Sequence, residues 1–275
     1  MRRVVLDVDT GIDDALAILY AVASPSLVLC GVTTVVGNVP ADAAARSSAA
    51  VLACAGADDV PVAVGATHTL AGAGPRTGPS DHGPDGLGGV GLPAAPERSY
   101  DDPGSVLRDV AAGGPVTLVG LAPLTNVAEL AGAATDVVLV AGELRTEEPP
   151  ELNAGHDPIA TAHVLAGRSA ATLYVADVFE QVSVAPADVA RLRSSGRPAA
   201  RLAGDLLAAR RAHLVGDAGA LVLLTHPHLF RVEPHRMGQV GGHLTRTDDG
   251  RSLDVVVEVD APAVATAYVE TLLAH

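Results

Sequence analysis

The feature that most restricts this chain lies at its start, where residues 4–15 read Val-Val-Leu-Asp-Val-Asp-Thr-Gly-Ile-Asp-Asp-Ala. The apolar run 4–6 has the composition of a buried strand, and it carries Asp7 and Asp9 toward its carboxyl end. Thr10 and Gly11 supply a tight turn, after which Asp13 and Asp14 open an apolar helix over 15–22. Four carboxylates within eight residues repel one another, so protons, helix N–H groups or a cation must compensate them. Acids spaced this way suit a hard divalent ion with oxygen ligands. The carboxyl ends of parallel strands are also where open α/β sheets bind ligands. The helix dipole alone accounts for one acid in a first turn; four acids around one strand end ask for more.

Strand-like and helix-like patterns then alternate. Residues 27–34 form a β-branched run ending in Val35-Val36-Gly37-Asn38, helical spacing follows over 41–55, and 60–64 is a short third strand. Residues 66–103 are rich in Gly and Pro, and a loop of that length in a compact domain is ordinarily functional or disordered. The alternation resumes with a strand at 116–119, a helix at 125–133 and a strand at 137–140. A polar loop covers 143–157, Asp157-Pro158 starts a helix, and 173–175 is a further strand. Residues 186–224 are mostly helical with a break at 216–219; strands at 232–240 and 253–259 and a helix at 262–273 close the chain. This order predicts a Rossmann-like α/β fold, a mostly parallel central sheet flanked by helices. With no internal repeat, linker or charge block, residues 1–275 are expected to form one domain.

Composition removes several functions. Apolar residues make up 48% of the chain but aromatics only 2%, so the core is built from Ala, Val and Leu. A formal net charge of −14 opposes nucleic-acid and anionic-membrane partners. All 18 basic residues are arginine, which excludes Schiff-base chemistry and a P-loop lysine. Cys30 and Cys54 sit among apolar neighbours and read as reduced core residues, not as a disulfide or metal pair. No signal-like leader and no bilayer-length apolar run is seen, so a cytoplasmic protein is expected.

Several segments resemble the motifs of the nucleoside hydrolases, the nucleoside N-ribohydrolases of the inosine-uridine preferring type. Residues 7–15 are similar to that family's aspartate signature, and Thr33-Thr34-Val35-Val36-Gly37-Asn38 to its second motif. His82-Gly83-Pro84-Asp85-Gly86-Leu87-Gly88 resembles the flap, and Leu124-Thr125-Asn126-Val127-Ala128 a fourth motif. Glu151-Leu152-Asn153 with Asp157-Pro158 resembles the ribose-binding segment, and Asp217 falls in the last motif. The resemblance runs in order through nearly the whole chain. It implies Ca²⁺-dependent hydrolysis of the N-glycosidic bond of ribonucleosides to ribose and free base, by a homodimer or homotetramer.

By the same resemblance, Asp9, Asp14, Asp217 and the main-chain carbonyl of Thr125 would bind Ca²⁺, with sugar hydroxyls and a water completing its shell. Asp9 would take the proton of that water. Asp13 and Asn38 would hold ribose hydroxyls and the water, Asn153 the 3′ side, Glu151 the 5′-hydroxyl, and Asp217 would also face the substrate. Asp7 would support the others from behind, and His82 would reach the base. The chemistry is coherent: cleavage passes through a ribose with oxocarbenium character, which a carboxylate-lined pocket stabilises.

Two features depart from the family pattern. Many members carry a histidine just before the last aspartate, where this chain has Gly216, and purine-preferring members stack the base on tryptophan, which is absent. The segment 142–150 also lacks the methionine and asparagine that the family turns toward the 5′ end; Val140 stands near the methionine position. His156, His226 and His228 are further candidates for a leaving-group acid. A second reading is a phosphatase of the haloacid-dehalogenase type, with Asp7 as nucleophile and Asp9 as acid, although the missing lysine counts against it. A third is a non-catalytic ribose- or nucleoside-binding homologue, motivated by Gly216.

Overall fold

The computed structural model of the chain describes residues 1–78, 80–92 and 102–274. Its first half runs β1 (Arg2–Val8), α1 (Ile12–Ala23), β2 (Leu27–Thr34), α2 (Ala41–Cys54), β3 (Val62–Val64), α3 (Pro103–Ala112), β4 (Thr117–Gly120), α4 (Thr125–Leu130) and β5 (Asp136–Val140). Two short helices, α5 (Leu152–His156) and α6 (Pro158–Ala166), lead to β6 (Ala171–Tyr174). Four helices follow: α7 (Ala176–Phe179), α8 (Pro186–Arg193), α9 (Pro198–Ala209) and α10 (Ala218–Thr225). The chain closes with β7 (Phe230–Val240), β8 (His243–Arg246), β9 (Arg251–Val259) and α11 (Ala261–Ala274).

Among the described residues the strands form one nine-stranded sheet in the order β3-β2-β1-β4-β5-β6-β9-β7-β8. Pairing is parallel from β3 through β9, and β7 runs antiparallel to both β9 and β8. Helices cover both faces of the parallel part, so β1 is apolar without alternation, with Val4, Val5, Leu6 and Val8 fully buried. The chain walks outward from β1 to β3, then returns to place β4 on the other side of β1. Successive connections therefore diverge at the carboxyl end of β1, which opens a crevice there. Helix α1 is apolar nearly all round and packs against α2, α9, α10 and α11. A helix of that kind is buried, and it holds the acids of its first turn against the crevice.

The α/β expectation is met; the four-residue α7 went unseen in the sequence, and so did three further elements. Helix α3 follows the Gly/Pro-rich stretch and buries only Val106 and Leu107, so its periodicity is faint; its signal is the Asp102 cap before Pro103. Helix α5 lies inside the presumed loop 143–157 and exists because the Glu151 carboxylate accepts the Asn153 and Ala154 N–H groups. Strand β8 is four residues long, and the Gly241-Gly242 turn that joins it to β7 was its overlooked signal. Part of the long loop predicted over 66–103, residues 79 and 93–101, lies outside the described residues. Cys30 and Cys54 are free thiols, half-buried and not enclosed in the core. No helix among the described residues is long and apolar enough to cross a membrane.

Candidate active site

The site is built from segments that meet at the carboxyl ends of β1, β2, β4 and β5. Asp7 is still within β1, paired with Thr33 on β2 and Gly120 on β4, and is wholly buried. Its Oδ1 accepts from Thr33 Oγ1 at 2.6 Å and from Asn126 Nδ2 at 2.8 Å, while Oδ2 has no partner. Burial pushes its pKa up to about 7 against these two hydrogen bonds. Asn126 also donates to Thr34 O and accepts from Ala66 N, which ties α4 to the ends of β2 and β3. With Oδ1 held by two hydrogen bonds and a proton retained up to about pH 7, Asp7 is a poor nucleophile, which counts against the phosphatase reading.

Asp9 lies one residue beyond β1, with Thr10 at a positive φ of 26° after it. Asp9 Oδ2 accepts from the Asn38 backbone at 2.6 Å, and Oδ1 from Asn38 Nδ2 at 3.1 Å. Gly37 makes this approach possible: a Cβ there would stand 1.9 Å from Asp9 Oδ2. Asp13 and Asp14 follow in the first turn of α1, and Asp14 reaches back to accept the Gly11 N–H at 2.6 Å. Asp217 stands at the start of α10, more than 200 residues later in the chain. One oxygen from each of Asp13, Asp14 and Asp217 falls within 4.8 Å of the others.

The electrostatics of this trio are those of an uncompensated cluster. Burial, then the charges of Asp9, Asp217 and Asp13, hold the Asp14 carboxyl well above the ordinary range. Burial and the charge of Asp13 do the same to Asp217. For Asp13 burial also pushes upward, but Arg210 and then His82 outweigh it, and its pKa is lowered. Asp14 Oδ1 is buried without a partner. Carboxylate oxygens crowded in this way, one of them orphaned, are a fitting donor set for a hard divalent cation.

The remaining predicted residues take distinct places. Asn38 is beside Asp9, as described. Thr125, in the first turn of α4, donates its hydroxyl to Asp157 Oδ2 at 2.7 Å. Asn153 Nδ2 spans the β4 and β5 ends by donating to Leu121 O and Val140 O. Glu151 spends both carboxylate oxygens on the backbone N–H groups of Gly142, Asn153 and Ala154. His82 packs over the start of α1, where its Nδ1 accepts the Ile12 N–H at 3.0 Å and lies 3.8 Å from Asp13 Oδ1. That bond places the proton of the neutral ring on Nε2.

His156 instead pins the 66–78 loop through Gly74 O. His226 and His228 sit beyond the far end of α10, about 12 Å of helix away from Asp217 at 1.5 Å per residue. The catalytic-acid option for those two is therefore withdrawn.

Two arginines enter this site that nothing in the linear pattern singled out. Arg76, from the Gly/Pro-rich loop, donates through Nη2 to Asp9 Oδ2 at 2.7 Å and to Asn38 Oδ1 at 2.9 Å. Its Nη1 reaches Asn153 Oδ1 at 3.4 Å. Arg210, just after α9, donates through Nη2 to Asp13 Oδ2 at 2.7 Å. Asp157, fully buried, caps α6 and also holds Leu70 N. In the sequence the only hint of such arginines was a cluster of acids in a chain with no lysine.

The chain is similar to known proteins over most of its length. The family profile described as inosine-uridine preferring nucleoside hydrolase matches residues 4–266. Uridine nucleosidase 1 of Arabidopsis thaliana is 39% identical over a segment covering 46% of this chain and 39% of that protein. The pyrimidine-specific ribonucleoside hydrolase RihA of Shewanella woodyi is 33% identical over 75% of this chain and 70% of its own. The solved structure of a plant nucleoside hydrolase, the PpNRh1 enzyme, superposes with a TM-score of 0.88 at 25% identity, covering 100% of this chain and 99% of that one. The match through all the site-forming segments, on the same fold, means that this chain belongs to the nucleoside hydrolase family and is an N-glycosyl hydrolase.

Proposed function

We propose that the protein hydrolyses the N-glycosidic bond of ribonucleosides in a Ca²⁺-dependent reaction, yielding ribose and free base. The observation that carries this reading is the convergence of Asp13, Asp14 and Asp217 from opposite ends of the chain, with Asp9 beside them. Asp9, Asp14, Asp217 and the Thr125 carbonyl are the groups proposed to hold the ion. Bound there, calcium would neutralise the carboxylates, grip a sugar diol and acidify the attacking water.

The chain's own residues supply the rest. Asn38, donating to Asp9 Oδ2 from its backbone and to Oδ1 from its side chain, fixes that carboxylate. Asp9 takes a proton from water as the water oxygen adds to C1′; the C1′–N bond breaks and its electron pair leaves with the base. Arg76 must release Asp9 Oδ2 for that oxygen to meet the water. Asp13 and Asn153 are proposed to hold the sugar hydroxyls. The positive charge that develops on the ribose is stabilised by the surrounding carboxylates.

The test is release of reducing sugar from a panel of ribonucleosides. The reaction should stop in chelator, return with added Ca²⁺, and be abolished in Asp9→Ala. Base release that continues unchanged in a metal-free, chelator-treated preparation would remove calcium from the reading.

A further inference from the structure

The mechanism above leaves the departing base unattended, and Arg210 is a buried cation to which that mechanism gives no task. Its side chain is only 11% exposed. Nη2 is spent on Asp13, but Nε and Nη1 are buried with no hydrogen-bond partner among the described residues. An orphaned buried donor is costly, and more so on a charged group. A fold that tolerates two such donors on one guanidinium, next to its reactive carboxylates, has them available for a ligand.

The local backbone is bent to put the side chain there. Helix α9 stops at Ala209, and the chain then turns through Ala212 and His213, both in the left-handed region at φ 53° and 52°. Non-glycine residues in that region are strained and persist where surrounding structure enforces them. The turn separates two adjacent arginines. Arg211 points outward to an exposed pair with Asp81 on the flap, at 3.5 Å, while Arg210 points inward. Gly216 completes the arrangement, because a Cβ on it would come within 2.8 Å of Asp13 Oδ2 and 3.2 Å of Arg210 Nη2. The guanidinium thus takes up the space that a side chain at 216 would need.

Arg210 also sits at the edge by which a base could enter. The flap closes on the end of α9: a Cβ on Gly88 would meet Ala209 Cβ at 3.2 Å. His82 of the same flap stands at Asp13 Oδ1 while Arg210 stands at Oδ2. Asp13 is therefore met by the flap at one oxygen and by Arg210 at the other.

We infer that Arg210 is the leaving-group contact of this enzyme: its Nε and Nη1 donate to the departing nucleobase and stabilise the electron pair that the base carries away. The inference rests on the glycosidic cleavage proposed above. A guanidinium does not give up its proton at working pH, so Arg210 stabilises the anion of the base without protonating it. The proton that completes the free base comes from solvent. A group with donors and no acceptor favours bases that present oxo oxygens, of the uracil and hypoxanthine type, over those presenting an exocyclic amine at the same place.

The experiment compares leaving groups. Wild type, Arg210→Gln and Arg210→Lys are assayed on uridine, inosine, adenosine and p-nitrophenyl riboside, whose leaving group needs no stabilisation. Thermal melts in calcium confirm that each variant is folded. Loss of one preorganised donor should lower kcat/KM of Arg210→Gln on uridine and inosine by about 10²–10³-fold. The loss on the nitrophenyl riboside should be smaller by roughly tenfold or more, with Arg210→Lys between the two. Equal losses on all substrates would mean that Arg210 only positions Asp13, and would overturn the inference while leaving the proposed function intact. No loss on any substrate would overturn it too. Failure of the wild-type enzyme to release either nitrophenol or base would instead refute the function itself.

Discussion

Arg76 offers the sharpest check on how the acid cluster is balanced. Its guanidinium lies 2.7 Å from Asp9, and the two side chains are only 18% and 1% exposed. Removing one partner of a buried pair costs about 3–5 kcal/mol, because the other charge stays buried and unpaired. Asp9 would keep its two hydrogen bonds from Asn38, so the lower end, about 3 kcal/mol, is expected for Arg76→Gln. A divalent ion at the same carboxylate supplies the missing charge, so the deficit should vanish in saturating calcium. By linkage, the variant must then bind calcium more tightly by the same amount, about 3 kcal/mol or roughly 100-fold. Urea unfolding in chelator and in calcium gives the first quantity, and calorimetric titration of the chelated protein gives the second. If Arg76→Gln is as stable as wild type in chelator, or binds calcium more weakly, the guanidinium is not the resting counter-ion of Asp9.

Two other perturbations test neighbouring parts of the same structure. Gly37→Ala would drive a methyl into Asp9, at a distance of 1.9 Å from Oδ2; a displacement of about 1 Å in a catalytic group costs on the order of 100-fold in rate. We expect that loss in kcat with a cooperative melt retained, and full activity in Gly37→Ala would mean that Asp9 needs no such placement. Asp7 supplies a pH signature. Its folded pKa of about 7 exceeds the ordinary 3.8, so the proton it binds favours the fold at low pH. That contribution is complete below about pH 4 and is lost as pH rises through about 7. In chelator, wild type should therefore lose about 4 kcal/mol more than Asp7→Asn between pH 4 and 8. Parallel stability–pH curves would refute it.

The sequence by itself determined the class of fold and the address of the site. Runs such as residues 4–6 and 27–34 have the composition of strands, and strands that alternate with helices pair in parallel. Ligands of such sheets gather at the carboxyl ends of the strands, and Asp9, Asn38 and Thr125 follow the ends of β1, β2 and β4. That information is local, carried by period and spacing, which one chain displays without help. The weak elements escaped for the same reason: α3 buries two side chains, α5 depends on one capping carboxylate, and β8 is four residues long.

Tertiary structure alone decided which charge meets which. Nothing in the linear order pairs Arg76 with Asp9 across 67 positions, or Arg210 with Asp13 across 197. Those contacts depend on the crossover from β3 to β4 and on a strained turn after α9, and they set which carboxylates stay ionised. Asp13 and Asp14 are adjacent in the sequence, yet the fold lowers the pKa of one and raises that of the other. Burial and the distance to a guanidinium made that difference, and both are properties of the assembled protein.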